Sequence, residues 1–297
     1  MATVRTNFDH LLEPVITAIY GDAYKDRKEV RSTIYKVTKS TRWKEDSLSI
    51  SGFGLVPVKP EGTAITYTDP TQGYYKQWTN LTYGMGFTVS REMVEDDQHN
   101  KIKAMPTMLK RSVMATKETI AAVPFNTGFA TFTTPDGQYL FDDDHPLEGG
   151  GTWQNEPTTP GDLSLTTLEQ AMMDINDWTD GAGIQIDAKP VRLIIHPDFE
   201  WTARQLLKSS LDPEALASNA INPAEGLMPF ISWNYLTDTD AWFIQTDVPF
   251  GATFYVRRED DFGRDNDFDT ENSKYKTTFR VVPAIDDPRS FYGNPGA

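Results

Sequence analysis

The chain has 297 residues, a net charge of −15 and no cysteine, which excludes disulfides, thiolate metal sites and cysteine nucleophiles. Its composition, 38% hydrophobic and 24% charged with 16 Phe, 12 Tyr and 7 Trp, fits a folded protein with a sizeable core and argues against disorder. The amino terminus lacks a signal peptide's basic flank and apolar run. No apolar stretch approaches the roughly 20 residues that span a bilayer, so a soluble protein made in a cytoplasm is expected.

Charge is unevenly spread. Lys25, Arg27, Lys28, Arg31, Lys36, Lys39, Arg42 and Lys44 against Asp26 and Glu29 give +6 between Tyr24 and Lys44, leaving −21 on the remainder. An acidic body repels nucleic acid. The basic stretch is either a solvated face or an arm that lies on an acidic neighbour of the same kind.

In residues 1–48 the only periodic piece is Leu11–Tyr20, where Leu12, Val15, Ile16 and Ile19 recur at helical spacing and Pro14 suits a first turn. The rest reads as an extended arm with nothing of its own to lie on. Residues 49–90 are punctuated by Gly and Pro, and the β-rich runs Ala64–Thr68 and Tyr74–Tyr83 flank Asp69-Pro70-Thr71-Gln72-Gly73, a hairpin signal. Such a hairpin buries little by itself and exposes its edges.

Arg91–Asp97 reads as a short helix and Met105–Val123 as a long one, with Leu109, Val113, Thr116, Ile120 and Val123 on one face and Pro106 near its start. Residues 124–163 form a Gly-, Pro- and Asp-rich stretch too long to be an unsupported loop, so contacts must order part of it. The α/β region 164–250 holds a helix Ser164–Trp178 with Ser164 as cap, a buried strand Val191–Ile195, a helix Pro197–Leu207, and short strands at Phe230–Trp233 and Ala241–Thr246. Thr253–Val256 and Tyr275–Val282 return to β character around an acidic insert.

No residue pattern demands catalysis, a cofactor or a metal. Reading the insert as a calcium loop from Asp265, with Asp267 and Asp269 as further ligands, puts Thr270 where glycine is needed and Lys276 where a bidentate Glu belongs. It is better read as a solvated acidic loop or a docking face for a basic arm. Asp142-Asp143-Asp144-His145 has oxygen and imidazole ligands, but sequence neighbours rarely converge on one ion. His10, His99, His145 and His196 fall in unrelated contexts, and His196 before Pro197 reads as a helix start. Gly52-Phe53-Gly54 and Gly84-Met85-Gly86 lack the third glycine and the helix of a phosphate site. Lys59 and Lys76 read as ordinary surface lysines.

Several segments in order do carry a resemblance. Pro124-Phe125-Asn126-Thr127-Gly128-Phe129, Asp136-Gly137-Gln138-Tyr139-Leu140-Phe141, His145-Pro146 and Gly149-Gly150-Gly151-Thr152-Trp153-Gln154-Asn155 resemble the stretch after the long helix in Mu-like and related tailed-phage major capsid proteins. Gly52-Phe53-Gly54, Gln72-Gly73-Tyr74, Gly86-Phe87-Thr88-Val89-Ser90-Arg91-Glu92 and Glu95-Asp96-Asp97 upstream are similar to the same family. So are Leu193-Ile194-Ile195-His196-Pro197, Leu236-Thr237-Asp238-Thr239 and Ala241-Trp242-Phe243 downstream.

The resemblance implies an α+β chain with the Hong Kong 97-type capsid fold. Its parts would be an N-terminal arm at 1–48, an extended β-hairpin loop at 49–90, and a peripheral domain with a long spine helix at 91–163. An axial α/β domain at 164–250 and returning peripheral strands with the C-terminus at 251–297 would complete it. It implies a structural shell protein of the virion with no catalytic, cofactor-binding or metal residues. The implied partners are copies of itself in hexamers and pentamers, a portal, and separate scaffold and decoration proteins where these are used. Double-stranded DNA would be enclosed without sequence-specific binding, and no membrane is involved. Little precedes the arm, so any scaffold is expected as another protein. The rival readings are an encapsulin-type shell that stores cargo enzymes and, in a different class, a hydrolase or carbohydrate-binding module on the aromatic-rich β segments.

Overall fold

The structure, a computed structural model, describes residues 9–23, 29–70, 72–90, 92–93, 101–211, 221–249, 251–266 and 272–297, with backbone alone at 9–15, 101 and 266. In chain order the helices are α1 (Asp9–Asp22), α2 (Arg31–Ile34), α3 (Lys101–Asn126), α4 (Leu165–Asn176) and α5 (Glu200–Lys208). The strands are β1 (Lys36–Lys39), β2 (Lys44–Ile50), β3 (Gln72–Thr79), β4 (Leu81–Val89), β5 (His145–Pro146) and β6 (Thr152–Trp153). They continue with β7 (Pro190–Ile195), β8 (Phe230–Ser232), β9 (Trp242–Thr246), β10 (Ala252–Asn266), β11 (Ser273–Ile285) and β12 (Phe291–Asn294).

One sheet, ordered β12-β9-β7-β8, sits at the centre of the α/β region. Its strands alternate which core they feed, as the two-residue pleat requires. Ile194, Phe243 and Phe291 face a core shared with α3, β10 and β11. Leu193, Ile195, Trp242, Ile244 and Tyr292 face α4 and α5. Burial on both faces explains the nearly continuous apolar run of β7. Ser164 caps α4 through a capping box with Thr167, and Leu168, Ala171 and Ile175 form its inner stripe.

The second sheet, ordered β1-β10-β11-β4, is dominated by the long β10–β11 hairpin. Tyr275, Thr277, Phe279 and Val281 of β11 are buried, whereas Lys274 and Lys276 point outward. The face of α3 over this sheet is Ile102, Leu109, Val113, Lys117, Ile120, Ala121 and Phe125. Thr116 is only half-buried and Val123 is exposed, so the inner stripe runs one residue later than expected. A buried lysine at 117 conceals that stripe from a hydrophobic pattern. On the outer side Ser112, Thr116 and Thr119 donate to carbonyls one turn back.

Several expectations need correction. Ala64–Thr68 is not a strand, and β3 pairs instead with β2, Leu48 opposite Tyr75. The hairpin partner is thus Lys44–Ile50, most of it before residue 49, and the chain makes a long excursion between the two strands. Tyr74–Tyr83 is broken at buried Asn80, whose Nδ2 donates to Ser40 Oγ and the Arg42 carbonyl. There the chain passes from the β2–β3 ribbon into the second sheet. The acidic insert is no loop over Glu259–Asn266, because β10 runs through it. Residues 29–35 and α1 rest on their own body, with Ile34 and Tyr35 in the main core and Ile16 beside Val89, Ile102 and Tyr275. The helix expected at Arg91–Asp97 lies, apart from 92–93, outside the described residues, as do Lys25, Arg27 and Lys28.

Candidate functional site

The stretch after α3 is ordered by one buried amide. Asn155 Nδ2 donates to the carbonyls of Leu140, Pro288 and Phe291 at 2.7, 3.2 and 3.1 Å. Its Oδ1 accepts from Asp142 N and from His145 Nε2 at 3.0 and 3.1 Å. On the other ring nitrogen, His145 Nδ1 lies 2.7 Å from Asp136 Oδ2. Asp136 also accepts from Gln138 N and the Thr134 hydroxyl. Burial raises the Asp136 carboxyl, but these donors outweigh it and hold it below the usual range. Trp153 stacks on the imidazole at 4.6 Å, and the Arg289 guanidinium lies over the Trp153 ring at 4.4 Å from its centroid.

In this geometry the side chains of residues 142–145 are engaged separately. His145 is turned into Asp136 and Asn155, Asp142 Oδ1 accepts from Asp144 N, and Asp143 is exposed. Among the described residues no group of three or more His, Asp or Glu side chains is arranged to hold a metal ion. Phe141 is clasped by Gly128 and Gly293, where a Cβ would lie 2.7 and 2.5 Å from its ring. His196 Nδ1 accepts from Asp198 N and caps the turn Pro197–Phe199, so its role is local.

The ordered loop supports the root of the β2–β3 ribbon. Ser49 Oγ donates to Glu148 Oε1 at 2.6 Å and Tyr74 Oη to the Pro146 carbonyl at 3.2 Å. Lys76 Nζ donates to the carbonyl and hydroxyl of Thr133, and burial pulls its pKa down. Lys76 is therefore no ordinary surface lysine. Trp78 stacks on Phe132 and donates from Nε1 to Asp286 Oδ1 at 2.9 Å. A crevice of about 180 Å³ at this root is lined by Asp136, Glu148, Asp180, Asp286 and Asp287. Each carboxylate already has a donor within the chain, so the crevice reads as a joint.

Two further buried polar joints hold the amino-terminal segment. Glu118 on α3 accepts from Arg31 N and from Trp233 Nε1, the latter at 2.9 Å. Burial raises its carboxyl above the usual value despite these donors. Asp260 receives Lys110, Lys117 and the Tyr20 hydroxyl. Burial raises that carboxyl too, but the two ammonium groups prevail and hold it far below the usual range. Register shifts in β10 lie on either side of Arg258, and the second spans Asp260, the kind of bulge that re-aims a side chain. The acidic segment thus docks a basic helix face of its own chain.

Outward from the root the ribbon changes character. Its outer face shows Leu48, Ile50 and Tyr75, and the excursion beyond it shows Phe53, Leu55, Val56, Val58, Ile65 and Tyr67. Leu55, Val56 and Val58 are 84–93% exposed. Such a cluster on a folded chain marks a surface that another molecule covers. Lys59 is exposed on the same excursion.

Residues 75–294 match the family model described as phage capsid protein. The chain belongs to that family. This phage capsid protein is a structural component of the virion shell and not an enzyme. No curated protein matches it by sequence. Among solved structures, the capsid of bacteriophage JBD30 is 15% identical with a TM-score of 0.59, over 80% of this chain and 100% of that one. The capsid of the native GTA particle is 14% identical at 0.57, over 88% and 87%. A virus-like particle from Pyrococcus furiosus is 12% identical at 0.52, over 93% and 96%. At these identities the likeness is one of fold, a mixed α+β capsid fold. No helix among the described residues of the capsid protein is long and apolar enough to cross a membrane.

Sequence reasoning missed Glu118, Lys117, Trp233 and Asn155 as joints. Only Asn155 stood within a segment singled out for resemblance, and nothing local marked its side chain as the organiser.

Proposed function

We propose that this capsid protein is the major shell subunit of a tailed double-stranded-DNA phage, built on the Hong Kong 97-type plan. In that plan residues 1–48 serve as the arm, 49–90 as the extended loop and 91–163 as the peripheral domain with α3 as spine. Residues 164–250 form the axial domain, and 251–297 return to the peripheral domain. No residue is assigned a catalytic, cofactor or metal role. The observation that carries the reading is the apolar excursion on a ribbon whose root is tied to the body by Glu148, Thr133 and Asp286. A rooted ribbon with a greasy end holds a neighbour at a set angle. Many modest contacts of this kind sum to a strong closed shell of hexamers and pentamers.

Within the particle the partners are other copies, a portal, and scaffold and decoration proteins where used. The net charge of −15 favours DNA held by confinement and not by adhesion. Expression of the chain followed by electron microscopy tests the proposal. Closed shells are expected, with no tight binding of duplex DNA at physiological salt. The combined variant Leu55→Ser, Val56→Ser, Val58→Ser is expected to fold as stably as the parent and to form no shells. A stable monomer with hydrolytic activity would overturn the reading.

A further inference from the structure

Resting on the shell-subunit reading, we propose that residues Ala64–Thr68 of one subunit add as a fifth strand to the free edge of β4 in a second copy. The donor segment has the composition of a strand, β-branched or aromatic at four of its five positions, uncharged and free of proline. Yet it forms no strand in the isolated subunit. All of its residues are exposed, and none of them hydrogen-bonds to another described residue. The turn before it, Pro60–Thr63, is closed by Thr63 N donating to the Pro60 carbonyl, with Gly62 at φ 78°. The other leg of that turn contains Pro57, which removes a ladder donor and makes it a poor partner. The backbone of 64–68 therefore needs a strand from elsewhere.

The acceptor follows from the edges on offer. Folded proteins protect edge strands by keeping them short, charging them, interrupting them with proline or covering them. In the second sheet β1 is four residues long with Lys at both ends. In the central sheet β8 is three residues long, and β12 is wholly buried. The ribbon strands carry Lys44, Glu45, Asp46 and Lys76. Among the described strands only β4 has none of these devices. It runs nine residues from Leu81 to Val89 without a charge or a proline, and it ends the order β1-β10-β11-β4.

The side-chain rows also match. On β4, Tyr83 and Phe87 stack on Phe279 and Tyr275 of β11, whereas Leu81 and Met85 on the same row remain 55% and 59% exposed. The opposite row is Thr82, Gly84, Gly86 and Thr88. An added strand reading Ile65 and Tyr67 on one face and Thr66 and Thr68 on the other would cover Leu81 and Met85 with its apolar row. Its threonines would lie along the Thr and Gly row. The pairing supplies main-chain hydrogen bonds for affinity and the alternate side chains for register.

Amide hydrogen exchange on the unmodified protein tests this without altering the fold. Peptides covering 64–68 and 81–89 are expected to exchange about tenfold more slowly, or less, in intact shells than in free subunits. Fast exchange of 64–68 inside intact shells would overturn the proposal. Because the chain has no cysteine, four double variants combining Cys at Ile65 or Tyr67 with Cys at Leu81 or Met85 provide a geometric check. At least one is expected to give a ladder of disulfide-linked subunits from assembled particles, which the single variants do not. Particles that stay monomeric in all four, or a bond confined within one chain, would also overturn it. Failure of the parent protein to form shells would sink the shell-subunit reading instead, so the two outcomes are separable.

Discussion

Replacing Asn155 by alanine tests whether the loop after α3 is a joint or a passive connection. The side chain is fully buried, and its loss strands four groups: the carbonyls of Leu140 and Phe291, the Asp142 N–H and the His145 Nε2 proton, whereas the Pro288 carbonyl keeps the Phe291 N–H. A buried polar group left without a partner costs about 1–3 kcal/mol. Taking the low end for each gives about 4 kcal/mol. That is a large share of the 5–15 kcal/mol typical of a folded domain. Urea denaturation of unassembled subunits should show the loss directly, and particle yield should fall with it. Asp143→Ala, on the exposed side of the same loop, should stay within about 0.5 kcal/mol of the parent. A loss below about 1 kcal/mol for Asn155→Ala would refute the reasoning, because it would mean that the network is not sustained by this amide.

The Glu156 carboxyl is pushed up to about 7 by burial and by nearby Asp142 and Asp143, from an ordinary value of 4.5. The folded state then holds this proton more tightly than the unfolded chain, so stability declines as pH rises from 4.5 to 7, by up to about 3 kcal/mol. Glu156→Gln should therefore match the parent near pH 4 and melt several degrees higher at pH 8; a melting gap independent of pH would contradict this. A Cβ at Gly73 would stand 1.6 Å from Glu148 Oε1 and 2.3 Å from Ser49 Oγ. Gly73→Ala should break the Ser49–Glu148 bond, cost about 1–3 kcal/mol and speed amide exchange in β2 and β3, whereas unchanged exchange would show that the root does not depend on that bond.

Elements whose signals are local were legible in the sequence. Ser164 ahead of α4, the apolar run of β7 and the long helical stripe of α3 are written within single windows of residues. The hairpin was misassigned because its true partner, Lys44–Ile50, reads as Lys-Glu-Asp-Ser-Leu-Ser-Ile and looks like a charged arm. Alternation survives there only as Ser47 and Ser49 facing the body against Leu48 and Ile50 facing out, the reverse of the usual sense. Ala64–Thr68 drew attention for a sound reason, its β propensity, but propensity does not supply a partner. Lys117 and Glu118 broke the apolar stripe of α3 while lying on its buried side, because their partners Asp260 and Trp233 are far away in sequence. At the ordered loop, the need for stabilising contacts was visible, but not that one amide provides them.

The buried polar groups of this chain are not scattered. Glu118 joins the segment before β1 to α3 and to Trp233, and Asp260 joins α1, α3 and β10. Asn155 joins the loop to β12, and Asp286 with Glu148 joins the ribbon to the body. Each bridges pieces distant in sequence, where apolar packing alone tolerates sliding. Buried ionic and polar contacts add little net stability over well-packed apolar ones, but they do penalise wrong geometries. The most exposed apolar groups, Leu55, Val56, Val58 and Tyr67, lie instead on the excursion between β2 and β3, the segment proposed to hold a neighbour. In a closed shell a small error in the angle of each grip is repeated around every capsomer. In the proposed contact, polar joints at the root set direction and apolar groups at the tip supply adhesion, which together answer that constraint.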